Sequence, residues 1–330
     1  MAGRETRMRT TRRLLLAAPL LAVPGIAAAQ AWPGPGRPVQ IIVPYAPGGG
    51  VDTAARMIAA GLERELGGQF VVLNRPGAGS QIGATEMIRA RPDGHTLLFG
   101  VLPTLITHYL DPSRNARYTR RDFQPVALHH ISPVSFAVRA NSAYATMRDL
   151  VTAARAQPEA ISVSDSGLMA TPHLGVLMLE LAAGVRFNSV HFNGGAPSVT
   201  AVLGGHAEVV AGGGSDVLGP MTEGSFRVLG STGETRDPLL PTVPTLREQG
   251  FDVVVASAGG LAAPAGTPAE LVAALAQAMR RVMAEPAYDA AMRRFGLVPE
   301  WRGPEDYAAY WDRDEERMRP VMAAIARATP

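Results

Sequence analysis

Along the chain, short runs of consecutive apolar residues alternate with stretches whose apolar positions recur every three or four residues. Val39–Val43 (VQIIV) reads as a buried strand, and Ala55, Ile58, Leu62 and Leu66 then mark one face of a helix. Residues 44–52 between them form a loop, and Asp52 is placed to cap free backbone N–H groups where the helix starts. Phe70–Asn74 is a second strand, followed by Pro76-Gly77-Ala78-Gly79-Ser80 and a helix carrying Ile82 and Met87. The turn Pro92-Asp93-Gly94 introduces a third strand over residues 96–101. Strand, glycine-bearing turn and helix in this order predict a parallel α/β sheet.

The pattern begins again near residue 132. Residues 133–139 are strand-like, Thr146 and Asp149 open a helix as a capping box, and 161–164 is a strand. Asp165-Ser166-Gly167-Leu168-Met169-Ala170 leads into a helix with Thr171 as N-cap, Pro172 at its first position and Gly184 at its end. Residues 190–192 run into Asn193-Gly194-Gly195-Ala196, with Pro197 starting a short helix, and 207–211 and 226–229 add strands. Beyond residues 252–257, Thr267-Pro268-Ala269-Glu270 reads as another capping box before a helix bearing Leu271, Leu275, Met279 and Val282. A second helical stretch closes at Phe295-Gly296. A third starts near Pro304 and carries Tyr307, Trp311, Met318 and Ile325, and Pro320 is expected to kink or break it.

At 330 residues the chain exceeds one ordinary domain of roughly 100–200 residues, and no repeat or linker separates the two sets. The expected organisation is two lobes joined by strands that cross twice. Residues 32–131 form the first part of lobe 1, 132–254 form lobe 2, and 255–330 return to lobe 1 with the C-terminal helices.

Residues 1–31 stand apart. Five arginines within residues 4–13 precede the apolar run 14–23, and small residues follow at 27–31, the order of a secretory signal peptide. Cleavage after Ala29 or Ala31 fits, Arg12-Arg13 resembles a twin-arginine signal, and export to the periplasm is expected. The formal charge of +2 then changes sign: without residues 1–29, 26 basic and 28 acidic residues remain, a net −2. Nothing in that balance suggests a nucleic acid or an anionic membrane as partner.

Composition removes further chemistries. Cys 0 excludes disulfides, a thiol nucleophile and thiolate metal ligands. All 31 basic residues are arginine, so no lysine exists for a phosphate loop or a Schiff base. No G-x-S-x-G elbow occurs, and Gly77–Gly83 is one residue too long for a dinucleotide fingerprint. His129-His130 is the one close histidine pair, and adjacent residues of a regular strand point to opposite faces, which argues against a metal clamp. No metal and no cofactor are expected.

In open α/β sheets, ligands bind beyond the carboxyl ends of the strands. Three such ends here are glycine- or serine-rich turns feeding helix starts: Gly48-Gly49-Gly50, residues 164–171, and Asn193-Gly194-Gly195-Ala196. A helix start offers unpaired N–H donors and about half a positive charge, and so attracts a carboxylate or phosphate. Each turn alone is ordinary architecture. No arginine lies within 44–55, 161–174 or 190–199, so an anion there relies on backbone donors, hydroxyls and water. The expected ligand contacts are Tyr45, Pro47, Gly48, Gly49, Gly50, Asp52 and Thr104 in lobe 1. In lobe 2 they are Ser164, Ser166, Gly167, Thr171, His173, Asn193, Gly194, Ala196 and Pro197, with Asp216 either facing the cleft or capping the next helix.

PYAPGGGVDTAAR (44–56), NRPGAGSQIGA (74–84), RPDGHTLLFG (91–100) and NGGAPSVTAVLGGHAEVVAGG (193–213) together resemble the Bug-type receptors, the solute-binding proteins of tripartite tricarboxylate transporters. The resemblance covers essentially all of 32–330, including PLLPTVPTLREQGF (238–251) and AAPAGTPAELV (262–272). It implies a two-lobed α/β periplasmic-binding-protein fold of type II-like organisation. Each lobe has a central mixed sheet flanked by helices, and two crossing strands act as hinge. It further implies a non-enzymatic, monomeric receptor that closes on a small organic acid and delivers it to integral-membrane transporter subunits. One carboxylate would be held by the turn matching 45–52, and the turns matching 164–173 and 193–197 would complete the pocket. The chain departs from the family at Ser80, where glycine is usual, at Asn193, where lysine is common, and at Thr200, where aspartate is frequent. On the residues alone two other readings stay open: an exported hydrolase using His173 with Ser164 or Ser166, and a sensor docking on a membrane kinase.

Overall fold

The structure, a computed structural model, describes residues 2–3, 32–34 and 36–328. The charged stretch, apolar run and cleavage positions of the expected export signal lie outside the described residues. Among the described residues no helix is long and apolar enough to cross a membrane.

From the first apolar run the chain forms β1 (Val39–Val43), α1 (Gly50–Leu66), β2 (Phe70–Asn74), α2 (Gln81–Ile88), β3 (Thr96–Leu102), α3 (Thr104–Leu110) and β4 (Phe123–Pro133). After Pro133 come β5 (Ser135–Arg139), α4 (Met147–Ala156), β6 (Ser162–Asp165), α5 (Thr171–Ala183) and β7 (Asn188–His191). They are followed by α6 (Gly195–Leu203), β8 (Val209–Gly212), α7 (Gly214–Thr222) and β9 (Phe226–Ser231). The last part holds β10 (Ala256–Pro264), α8 (Ala269–Met283), α9 (Pro286–Arg294), β11 (Pro299–Arg302) and α10 (Pro304–Ala328).

Two sheets result, in the orders β11-β4-β10-β3-β1-β2 and β7-β6-β8-β5-β9. Both are mixed. β1 lies parallel to β2 and β3, whereas β10 is antiparallel to β3 and β4. β6 is parallel to β7 and β8, and β5 is antiparallel to β8 and β9. The chain changes sheet between Pro133 and Ser135 and returns between Ser231 and Ala256. At this crossing Thr232 ties both connections together. Its N–H donates to Val134 O (2.8 Å), and its Oγ1 accepts from Val134 N (2.9 Å) and donates to Val255 O.

Alternation along β1 sends Ile41 and Val43 into one apolar cluster with α1 and α8, and Ile42 into another with Leu98, Leu102 and Trp311 of α10. Both faces of the first sheet are therefore buried. Each fully buried aliphatic side chain contributes about 1.5–3 kcal/mol. The second sheet buries Phe136, Val163 and Val209 against α4 and α5, and Val210 against α6 and α7.

Several local expectations are corrected. The N-cap of α5 is Ala170, so Thr171 and Pro172 sit one place further into the helix, and the Thr171 N–H is satisfied by Thr104 Oγ1 (2.9 Å) instead. No capping box opens α8: Pro268 is the N-cap, and Thr267 Oγ1 turns back to Pro264 O (2.8 Å). α6 starts at Gly195 rather than Pro197, and β8 starts at Val209 rather than residue 207. α10 runs unbroken through Pro320. The Thr146–Asp149 capping box is present as expected.

His129 and His130 do not point to opposite faces. Gly259 pairs with His130 while Gly260 pairs with Leu128, so His129 is the extra residue of a β-bulge. The two rings turn toward each other, with Nδ1 to Nδ1 at 2.8 Å.

Candidate functional site

A cavity of about 60 Å³ lies between the two sheets, where five helix starts meet. α1 contributes Gly50, Val51 and Asp52, α5 contributes Pro172, α6 contributes Gly195, and α7 contributes Ser215 and Asp216 with Gly213 before them. Tyr45 forms one wall. Val101 enters from the end of β3, Thr104 from the start of α3, His130 and Ser132 from β4, and Ser257 from β10. No arginine is among the lining residues.

The starts of α1 and α6 abut. A Cβ placed on Gly49 would lie 3.6 Å from both the Gly195 and Ala196 amide nitrogens. In the first turn of a helix the amides lack intrahelical acceptors, so Gly50, Val51 and Asp52 face Gly195 and Ala196 with free donors. Beside them the Ala46 N–H donates to Asn193 O at 2.6 Å, bridging the halves. Gly194 holds φ at +147° and lies against Ala46, a conformation and a closeness that side chains oppose. Thr107 Oγ1 donates to Met169 O (3.0 Å), and Arg114 reaches both Ala78 O and Leu168 O. The two halves are thus in contact, and the space they enclose is on the order of a carboxyl group with a water or two.

The sequence-predicted residues divide sharply. Tyr45, Gly49, Gly50, Asp52, Thr104, Ser166 and Asp216 line the cavity. Pro47 and Gly48 are exposed, and the Gly48 N–H is committed to Asp52 Oδ2 (3.0 Å), so the amides expected at Gly48–Gly50 shift to Gly50–Asp52. Ser164 is wholly buried, its hydroxyl engaged by Ser198 and the Val209 carbonyl. The Gly167 N–H donates to Asp165 Oδ1 (2.8 Å), and Thr171 is paired with Thr104. Asn193 is exposed and offers only its carbonyl, to Ala46. Gly194, Ala196 and Pro197 flank the cavity at the start of α6. Ser80 takes φ +83°, which suits glycine, and its hydroxyl meets His108 Nε2 at 3.2 Å.

His173 borders a different space, about 470 Å³, with Leu110, Met169 and Leu177. Its Nδ1 accepts from the Met169 N–H (3.0 Å), and burial lowers its pKa to about 3, so the ring is neutral with its proton on Nε2. That tautomer also decides the chemistry of the group Asp165, His173 and His191, whose ligating atoms lie within 4.8 Å of one another. Neither nitrogen of His173 has a lone pair free for a metal, and Asp165 is taken up by His191 Nδ1 (2.9 Å) and Gly167. Among the described residues neither Ser164 nor Ser166 bonds to His173, so no serine–histidine pair is assembled.

Two acids line the cavity, and their surroundings move them in opposite directions. Burial pushes the Asp52 carboxyl up, but Arg56, the Gly48 N–H and Asn74 outweigh it and hold it below its ordinary value. It stays ionised and balanced by Arg56 at 3.0 Å. Asp216 has one N–H partner, Gly213 (2.8 Å), and burial raises its pKa to about 6. Asp216 therefore both caps its turn and faces the cavity. The lining residues with polar side chains missed from the sequence are His130, Ser132, Ser215 and Ser257. Of these, Ser215 sits in the Gly212–Ser215 run that resembles the other turns, while the remaining three lie on strands with no distinctive pattern.

A two-lobed α/β body with helix starts gathered between its mixed sheets defines a solute-binding protein fold. The sequence matches the "Tripartite tricarboxylate transporter family receptor" family over residues 54–326. The chain belongs to that family. It is 30% identical over 319 residues to protein BugT of Bordetella pertussis, covering 96% of this chain and 98% of that one. MatC from Rhodopseudomonas palustris with bound malate superposes with TM-score 0.83 at 29% identity, covering 87% of this chain and 99% of MatC. Another R. palustris protein, with adipate, gives TM-score 0.81 at 26% identity, covering 88% and 98%.

Proposed function

We propose that the protein is a periplasmic receptor that captures a small organic acid between its lobes and hands it to tripartite tricarboxylate-type transporter subunits in the membrane. The observation that carries this reading is the pair of abutting helix starts, α1 from one sheet and α6 from the other, with unpaired amides facing a cavity that holds no arginine. Two positive helix ends brought together repel unless an anion lies between them. The relatives' malate and adipate are dicarboxylates, which fit that requirement at one end.

In this reading 32–131 with 255–330 and 132–254 are the moving bodies, hinged at Val134, Thr232 and Val255. Gly50, Val51 and Gly195 amides hold one carboxylate, with Tyr45, Thr104 and Ser166 around it, and Asp216 accepts from a hydroxyl or other donor on the ligand. The protein performs no turnover; the engaged hydroxyl of Ser164 and the committed Nδ1 of His173 support binding over hydrolysis. The test is thermal stabilisation of the mature protein by a panel of mono-, di- and tricarboxylates at millimolar concentration. At 100 times Kd a ligand adds about 2.7 kcal/mol, a shift of several degrees in Tm. No shift with any member would overturn the reading.

A further inference from the structure

The histidine pair at the bulge of β4 has no part in the anion site proposed above. His130 lies at the floor of the cavity, and its ring is held on both sides. A Cβ on Gly259, the residue opposite, would lie 2.7 Å from His130 Nε2, so only glycine there leaves room for the ring. Phe99 stacks on the other side, with centroids 6.3 Å apart and planes 19° from parallel. Behind it, His130 Nδ1 meets His129 Nδ1 at 2.8 Å, and His129 Nε2 meets the Tyr288 hydroxyl at 2.6 Å. Among the described residues, His130 Nε2 has no hydrogen-bond partner.

Proton bookkeeping selects one arrangement of this chain. Burial pushes His130 down to about 4 and His129 well below its ordinary value, and it raises Tyr288, so at neutral pH both rings are neutral and the phenol keeps its proton. Two Nδ1 atoms in contact share one proton. If His130 supplied it, His129 Nε2–H would donate to the Tyr288 oxygen, and the buried phenol proton would have no acceptor. If His129 supplies it, Tyr288 O–H donates to His129 Nε2 and His129 Nδ1–H donates to His130 Nδ1. His130 then carries its proton on Nε2, toward the cavity. The first arrangement strands a buried donor with no acceptor. In the second, the one donor without a protein partner is His130 Nε2–H, at the cavity, where a ligand oxygen or water can accept it.

We infer that His130 is a specificity-determining residue of the cleft, presenting a fixed, uncharged Nε2–H donor to an oxygen of the ligand, with His129 and Tyr288 as positioning residues that set its tautomer. The inference rests on the carboxylate-receptor reading and adds to it a second recognition point in the same cavity, separate from the α1 and α6 amides. A ligand oxygen at that point is accepted whether it is a carboxylate, carbonyl or hydroxyl oxygen. An ammonium or methyl group there leaves the donor unpaired and is rejected.

The experiment is long-range ¹H–¹⁵N correlation of the histidine rings in the wild-type protein, which distinguishes Nε2–H from Nδ1–H tautomers, first without ligand and then with malate or adipate. The expected result is His130 as the Nε2–H tautomer before addition, with its Nε2 and attached proton shifting on saturation while His206 stays still. A His130 proton found on Nδ1 overturns the inference, as does a ring unmoved by an acid that stabilises the protein; in both cases the receptor reading stands. His130→Gln, which can keep a donor, is expected to retain affinity within about tenfold, and His130→Ala to lose more than tenfold. Equal affinity of His130→Ala and wild type refutes the contact. If no acid in the panel stabilises the wild type, the receptor reading falls and this inference with it.

Discussion

Asp216 links the electrostatics of the cavity to the stability of the fold. Its carboxylate has a single N–H partner, and burial raises its pKa from 3.8 to about 6. A raised carboxyl pKa means that the folded state holds the proton more tightly than the unfolded chain does. The stabilising contribution is complete below the unfolded value and is lost as the pH climbs through about 6. With these two pKa values, linkage gives a loss of about 1 kcal/mol by pH 4.5 and about 3 kcal/mol by pH 7.5. Asp216→Asn keeps an oxygen for the Gly213 N–H and abolishes the titration. The stability of the variant relative to wild type should therefore increase by about 2 kcal/mol between pH 4.5 and pH 7.5. At roughly 2–4 °C per kcal/mol, this is several degrees in the difference between the two Tm values. Calorimetry of both proteins without ligand at the two pH values measures it. A Tm difference that is the same at both would refute the assignment of Asp216 as the acid whose pKa the fold raises.

Two further substitutions probe closure and the hinge. Gly50→Ala suits the first turn of a helix, but its Cβ would lie 2.7 Å from Ser215 Cβ across the cleft. The variant should fold with Tm near wild type yet lose at least half of the acid-induced Tm shift, and a full shift would show that closure does not bring these residues together. Thr232→Val removes the hydroxyl that serves both Val134 N–H and Val255 O, leaving two buried backbone groups unpaired. A loss of about 2–4 kcal/mol is expected in urea unfolding, and a loss under 1 kcal/mol would mean that water replaces those bonds.

The sequence made β1, α1, β2 and β3 legible because their apolar positions keep one period throughout. β10 was not legible, since ASAGGLAAP carries none of the β-branched or aromatic residues that mark strands. The reason is packing: His130 and Tyr307 rings lie where Cβ atoms on Gly259 and Gly260 would be, so large neighbours in β4 and α10 require small residues in the strand between. His130 was misread for a related reason. Alternation assumes a regular strand, and the extra residue at His129 reverses the face of its neighbour. Of the glycine turns, Gly48-Gly49-Gly50 does reach the cavity through Gly49 and Gly50, but its free amides begin two residues later than the turn suggests, at Gly50. The Asp52 carboxylate folds back onto the Gly48 N–H, a contact that spacing alone does not separate from an ordinary cap.

The absence of arginine from the cavity has a physical consequence for how the proposed receptor works. An arginine on one lobe would hold an anion whether or not the other lobe had arrived. Here the donors are divided, with Gly50 and Val51 on the first lobe and Gly195 and Ala196 on the second, so the full set exists only when the halves meet. Two half-charges about 5 Å apart at an effective dielectric near 20 repel by about 1 kcal/mol. An anion between them turns that repulsion into attraction on both sides. Differential affinity for the closed state is the one means by which a ligand shifts such an equilibrium. The acid that stabilises the protein should therefore also compact it, lowering the radius of gyration in solution scattering. An acid that binds with no change in radius would mean that the donors on one lobe suffice, and the division of amides between α1 and α6 would have no part in closure.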